Sequence, residues 1–173
     1  IGACFANNKK PMVLVEGDGS LQLNIQEMAT LSAYNLPICL IIMNNQGYAS
    51  IRTTQRNYFN GRYVGTGPEA GLMLPDLQKL ASTYNISYIK ISDACELKEK
   101  LNSAMNQSWP IIIDVHLTAN EVLTPKVAAL PQPDGSLLSM PLEDMSPLLS
   151  FETLKNEMIV ELSKESVLAR KNK

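Results

Sequence analysis

The sequence predicts an α/β protein: a doubly wound parallel sheet with helices on both faces, three layers in all, extended by a proline-rich arm and a C-terminal helix. Three observations carry this expectation. Pro11–Glu16 and Ile38–Met43 are continuous apolar runs joined by one helical stretch, the βαβ pattern of a sheet covered on both sides. Helical and strand-like segments then alternate as far as about Leu117. Beyond that point the alternation gives way to Pro125, Pro131, Pro133, Pro141 and Pro147.

Each element has a local reason. Ile1–Ala6 is apolar and small, like the middle of a helix, so the chain is expected to be the C-terminal part of a longer protein. Pro11–Glu16 is rich in β-formers and closes on Gly17-Asp18-Gly19, which predicts a buried strand ending in a tight turn. Ser20 is placed to cap the next helix, which shows Leu21, Ile25, Met28, Ala29 and Ser32 on one face. Asn35-Leu36-Pro37 ends it, and the second strand closes on Asn44-Asn45-Gln46-Gly47. Arg52–Pro68 reads as a long functional loop with a short helix at its start. Pro75–Tyr84 and Ala94–Asn106 read as helices, Ser87–Ile91 and Pro110–Val115 as strands. Residues 118–149 form the arm, with a turn at Pro133-Asp134-Gly135, and Phe151–Leu168 returns to helical spacing before a basic tail from Arg170.

Composition narrows the function. Hydrophobic residues make up 45% and charged residues 18% of 173, which suits one core-forming domain. Residues 1–86 carry 6 basic and 5 acidic side chains and residues 87–173 carry 9 and 12, so neither half offers a basic field for nucleic acid. The longest strongly apolar run, Pro37–Met43, falls far short of the ~20 residues of a membrane span. Cys4, Cys39 and Cys95 are odd in number and widely spaced, and read as buried reduced thiols of a cytoplasmic protein.

The chemistry gathers at two strand ends. Ligands of an open parallel sheet bind outside the carboxyl ends of its strands, where this chain places Gly17-Asp18-Gly19-Ser20 and Asn44-Asn45-Gln46-Gly47. If the two strands are neighbours, Asp18 and Asn45 reach one edge together. A carboxylate, an amide oxygen and a loop carbonyl are hard donors that suit Mg²⁺ or Ca²⁺ and leave positions for water or phosphate. The glycines admit close backbone approach, and the following helix offers unpaired N–H groups to an anion. These residues describe a divalent-metal diphosphate site.

Gly17-Asp18-Gly19-Ser20 followed by Asn44-Asn45 resembles the cofactor motif of the thiamine-diphosphate-dependent enzymes, which runs from GDG to a closing NN. The resemblance continues through Leu21–Glu27 and Asn44–Tyr48, covers residues 1 to about 117, and lies nearest the 2-oxo-acid branch of acetolactate synthases and pyruvate decarboxylases. It implies that Asp18, the Asn45 side chain and the Gly47 carbonyl bind Mg²⁺. It also implies that Gly17, Gly19, Ser20, Gly47 and Tyr48 line thiamine diphosphate. The family's catalytic Glu is expected on an upstream domain of the same protein, supplied by a partner subunit, which implies a homodimer or homotetramer and an inactive isolated chain.

The reaction expected from the resemblance is carboligation of a 2-oxo acid such as pyruvate. Pyruvate decarboxylases carry a Glu shortly after NN, where this chain has Ile51; acetolactate synthases often read V-R-Q-W-Q, where it reads Ile51-Arg52-Thr53-Thr54-Gln55. A thiamine-dependent decarboxylase and a non-catalytic Mg²⁺/phosphate-binding α/β module are the alternatives. Arg52, Arg56 and Arg62, with Tyr58, Phe59 and Tyr63, read either as substrate or subunit contacts or as a solvated loop. His116 reads as a structural hydrogen-bonder, Asn44 as the residue that holds its turn, and Met28, Met43, Met105 and Met158 as core.

Overall fold

The computed structural model describes residues 1–122, 124–131 and 134–171. Pro133 of the expected turn and Asn172 and Lys173 of the expected tail lie outside the described residues. The chain divides into two compact units, Ile1–Glu121 and Val122–Lys173.

The first unit is the α/β core. Its sheet has four strands, β1 (Met12–Gly17), β2 (Ile38–Asn44), β3 (Ser87–Ile91) and β4 (Ile111–His116), in the order β1-β2-β4-β3. Every pairing is parallel, with Leu14 opposite Leu40 and Ile41 opposite Ile113. Alternation along β2 and β4 sends side chains to two faces. Leu40, Ile42 and Ile112 pack under α1 (Gly2–Ala6), α3 (Met28–Ala33) and α5 (Leu77–Thr83), through Cys4, Met28, Leu31, Leu77 and Ala81. Cys39, Ile111 and Ile113 pack on the other face against Ala104 and Leu101 of α6 (Ala94–Met105). Helices therefore cover both faces, as expected of a doubly wound sheet.

Several expectations are corrected. β1 is not buried: it sits at the sheet edge with β2 as its sole partner among the described residues, and Val13, Leu14 and Val15 are 50%, 43% and 60% exposed. The helix expected from Ser20 to Ser32 is broken into a four-residue turn α2 (Asp18–Leu21), a 3-10 segment Gln22–Glu27 kinked at Asn24, and α3. Ser20 lies inside the first turn rather than capping it; the N-cap is Gly17. Met105 is exposed rather than core, and of the three cysteines Cys95 is exposed. By contrast α4 (Ala49–Tyr58) does open the long polar loop.

The second unit contains strands where none is expected: β5 (Ala129–Pro131) pairs antiparallel with β6 (Leu137–Ser139), and Lys126 bridges Ser146. The single helix expected over Phe151–Leu168 is two, α7 (Phe151–Glu157) and α8 (Lys164–Lys171). Met158 turns extended at ψ 132°, and the Ser163 hydroxyl accepts the Ser166 amide at 3.1 Å, restarting the helix there. Among the described residues no helix is long and apolar enough to cross a membrane.

Candidate functional site

The ends of β1 and β2 come together because the strands are adjacent and in register, Gly17 opposite Met43. Asp18, the first residue past β1, is 3% exposed. Its Oδ1 accepts the Gly19 amide at 2.9 Å, and its Oδ2 accepts the Gly47 amide at 2.8 Å. Burial pushes its carboxyl above the ordinary carboxylate range, while the Gly47, Gly19, Asn45 and Gln46 amides pull the other way. The site thus holds a carboxylate that its surroundings stabilise incompletely.

The second turn is shaped from behind. Asn44 Nδ2 donates to Asp114 Oδ1 at 3.0 Å, and Asn44 Oδ1 accepts the Gln46 amide at 3.2 Å, so Asn44 holds the turn. Asn45 then presents its side chain, whose Oδ1 is buried with no hydrogen-bond partner. Such an acceptor costs free energy unless something binds it. Gly47 follows at φ +133°, a conformation L side chains rarely adopt. Its carbonyl lies close against Gly19: a Cβ added there would stand 3.2 Å from it and 2.7 Å from the Tyr48 ring. Tyr48 therefore closes over the first turn, and its amide donates to the Thr66 carbonyl at 3.0 Å. Gly17 ends β1 with its amide on Glu16 Oε1 at 3.0 Å, and Ser20 is exposed beside it.

The structure thus brings Asp18, Gly19, Gly47 and Tyr48 into direct contact and sets the Asn45 oxygen free at the neighbouring turn. A groove of about 210 Å³ opens beside them, with Asp18, Gln22, Asn44 and Gln46 as its polar side and Leu72, Leu74 and Leu77 among its apolar side. Among the described residues no three His, Cys, Asp or Glu side chains gather to hold a metal ion. The oxygens at these two turns, from the Asp18 carboxylate, the Asn45 side-chain amide and the Gly47 carbonyl, are hard donors of the kind that suits Mg²⁺ better than zinc.

Two residues escape the sequence reading. Gln22 Nε2 is buried without a partner at the groove, and Arg52 Nε is likewise unpaired, so two donors and the Asn45 acceptor are left without partners. The signal for Gln22 in the sequence is its place two residues after Ser20, inside the Leu21–Glu27 stretch of the resemblance. Arg52 is neither solvated nor a surface contact: it is 5% exposed and donates to four backbone carbonyls. His116 sits with Nε2 3.0 Å from Asp114 Oδ2, and Tyr88 donates to the same oxygen at 2.8 Å. Phe59 and Tyr63 are exposed.

Residues 1–115 match the family model of the thiamine pyrophosphate enzyme, C-terminal TPP binding domain. The chain is 33% identical over 128 residues to the acetolactate synthase large subunit of Porphyra purpurea, covering 74% of this chain and 21% of that protein. It is 34% identical over 127 residues to the one from Parasynechococcus marenigrum, covering 73% and 20%. Against the acetolactate synthase large subunit of Haemophilus influenzae the identity is 31% over 145 residues, covering 83% and 25%. The chain spans a fifth to a quarter of the length of these relatives. With two glycine-lined strand ends meeting at Asp18 and an α/β core of matching extent, it belongs to the thiamine pyrophosphate enzymes, and residues 1–115 are their C-terminal TPP-binding domain.

Proposed function

We propose that the chain is the cofactor-binding part of a longer carboligase of the acetolactate synthase type, acting on a 2-oxo acid such as pyruvate with thiamine diphosphate and Mg²⁺. The observation that carries this reading is the buried, unpaired Oδ1 of Asn45 at the turn that contacts Asp18. Asp18, Asn45 Oδ1 and the Gly47 carbonyl would hold the Mg²⁺; Gly17, Gly19, Ser20, Gly47 and Tyr48 would border the cofactor. Gln22 Nε2 offers its unpaired donor to a phosphate oxygen. Burial disfavours the ionised Asp18, and a divalent cation beside it offsets that penalty. When bound, the cofactor supplies the electron sink for loss of CO₂ from a 2-oxo acid.

Two further features support a larger assembly. The groove of about 210 Å³ is smaller than the ~300–1,000 Å³ pockets that enclose whole organic ligands, so it suits the diphosphate end alone. The apolar, half-exposed edge strand β1 also calls for cover. Upstream domains of the same protein, in a homodimer or homotetramer, would complete the site and supply the family's catalytic Glu. Carboligation is favoured over simple decarboxylation because Ile51, 49% exposed on α4, offers no proton where decarboxylases of the family carry Glu.

The test uses the protein with its upstream half. It is incubated with pyruvate, thiamine diphosphate and Mg²⁺, and products are followed by NMR with Asp18→Ala as control. Acetolactate is the expected product. Acetaldehyde would make the protein a decarboxylase, and Mg²⁺-dependent cofactor binding without turnover would mean another donor or acceptor. Absence of both turnover and binding would overturn the reading. The 173-residue chain alone is expected not to turn over pyruvate.

A further inference from the structure

Helix α4 carries a buried cation that is held by backbone carbonyls, with the Glu69 carboxylate beside the same Gly67 as its Nη1 but outside ion-pair distance. Arg52 is 5% exposed, and its guanidinium takes part in none of the ion pairs among the described residues. Its Nη2 donates to the carbonyls of Asn45 at 2.7 Å and Ala119 at 2.8 Å. Its Nη1 donates to those of Thr66 at 2.9 Å and Gln46 at 3.1 Å. One turn further along the helix, Gln55 grips the same loop. Its Nε2 donates to the Val64 carbonyl at 3.2 Å, and its Oε1 accepts the Val64 amide at 3.3 Å and the Thr66 hydroxyl at 3.1 Å.

Burying a guanidinium costs its hydration, and an arginine on an exposed face of the helix could stay in water at no such cost. What the four carbonyls gain is a fixed mutual arrangement: they come from the 45–46 turn, the loop at Thr66 and the chain beyond β4. The planar fork of arginine sets the directions of several N–H groups at once, which an ammonium cannot do. Two of the fixed carbonyls belong to the residues just before Gly47, and the third, Thr66, is the one packed against Gly47 itself.

We propose that Arg52 and Gln55 are positioning residues, a clamp on α4 that locks the 45–47 turn against the 64–66 loop and so pre-sets the Asn45 oxygen and Gly47 carbonyl for the metal. This rests on the metal and diphosphate reading above. The clamp touches neither metal nor cofactor; its effect is preorganisation, which strengthens binding by removing the cost of ordering the turn when the ligand arrives.

The test compares Arg52→Lys, which keeps the charge and loses the fork, with Gln55→Met on the half-exposed side of the helix, both in the protein with its upstream half. Mg²⁺ affinity is measured by calorimetry at saturating thiamine diphosphate, alongside the metal-free Tm. Each variant is expected to bind Mg²⁺ about 10- to 100-fold more weakly, with kcat restored by excess Mg²⁺ and KM for the 2-oxo acid unchanged. In the metal-free protein, amide exchange at Gly47 and Tyr48 is expected to speed about tenfold or more. A lowered Tm with unchanged Mg²⁺ affinity would make both residues merely structural and overturn the proposal. If Arg52→Lys does not fold, Gln55→Met decides by the same criterion. Wild-type protein that binds no cofactor in a Mg²⁺-dependent way would instead overturn the metal reading, and the clamp's purpose with it.

Discussion

The carbonyl oxygen of Thr66 stands where a Cβ on Gly47 would have to go, and Gly47 is held at φ +133°. That carbonyl cannot retreat, because it already accepts from the Tyr48 amide at 3.0 Å and from Arg52 Nη1 at 2.9 Å. Gly65 provides the comparison: it too has positive φ, +62°, but nothing lies within 4 Å of its added Cβ. Gly65→Ala should therefore cost only the left-handed backbone penalty of about 1–2 kcal/mol. Gly47→Ala should cost that strain plus the collision, about 3 kcal/mol or more. Urea denaturation of the two variants measures both, and equal losses would contradict the close packing of the loop on the turn.

Asp114 is the hub behind the second turn. It is 3% exposed and accepts from Asn44, Tyr88 and His116. Burial first, then the hydrogen bond and charge of Asp114, push the Tyr88 phenol above its ordinary value of 10. A folded-state value above the unfolded one means that the native chain keeps the proton where the unfolded chain has lost it. Tyr88 thus contributes stability that is fully present below pH ~10 and declines as pH rises further. Ultraviolet titration should find one tyrosine that ionises after the others. Tyr88→Phe should remove that alkaline slope and cost about 1–2 kcal/mol at neutral pH. A phenol that titrates with the rest would refute the Asp114 contact.

How much of this was legible follows from how far apart the causes lie. Gly17-Asp18-Gly19-Ser20 and Asn44-Asn45 could be read because strand ends and turn chemistry are local, and the parallel pairing of β1 with β2 brings them together. Arg52 could not, since its acceptors include Ala119, 67 residues away, and nothing beside it in sequence marks it as buried. The exposure of β1 was hidden for the opposite reason. An apolar run says that a strand wants cover on both faces, and nothing in it says what provides that cover. The break between α7 and α8 depends on Glu143, which accepts the Ser163 amide from 20 residues upstream. Apolar spacing alone runs straight through it.

The free edge of β1 makes a prediction about the isolated chain. Val13, Leu14 and Val15 are 43–60% exposed, and an apolar groove of about 480 Å³ runs beside Val13 and Leu14 past Met12 and Leu31. An unpaired apolar edge is a template for intermolecular strand pairing, and a charged residue placed on it blocks that pairing. The isolated chain should self-associate as its concentration rises, and Val15→Lys should suppress this without lowering Tm. Light scattering across a concentration series measures it. A wild-type chain that stays monomeric throughout would mean that the edge is protected in some other way.

In the second unit, Glu143 and Asp144 both hold α8. Glu143 Oε1 accepts the Ser163 amide and the Ser166 hydroxyl, each at 3.0 Å, and Asp144 pairs with Arg170. Hydrogen bonding, from Ser163 first and also from Ser166, pulls the Glu143 carboxyl from 4.5 down to about 2. A lowered folded-state value gives stability that is present above pH 4.5 and lost as pH falls toward 2, where the native carboxylate finally takes up its proton. The start of α8 should therefore loosen over that window, seen as faster amide exchange at Ser163 and Ser166. Glu143→Gln keeps an acceptor oxygen but cannot titrate, so its α8 should show no acid slope in that range. Arg170→Met leaves the buried Asp144 carboxylate without its cation and should loosen α8 at every pH above the acid range. If Glu143→Gln retains the wild-type acid slope, another carboxyl governs the docking of α8.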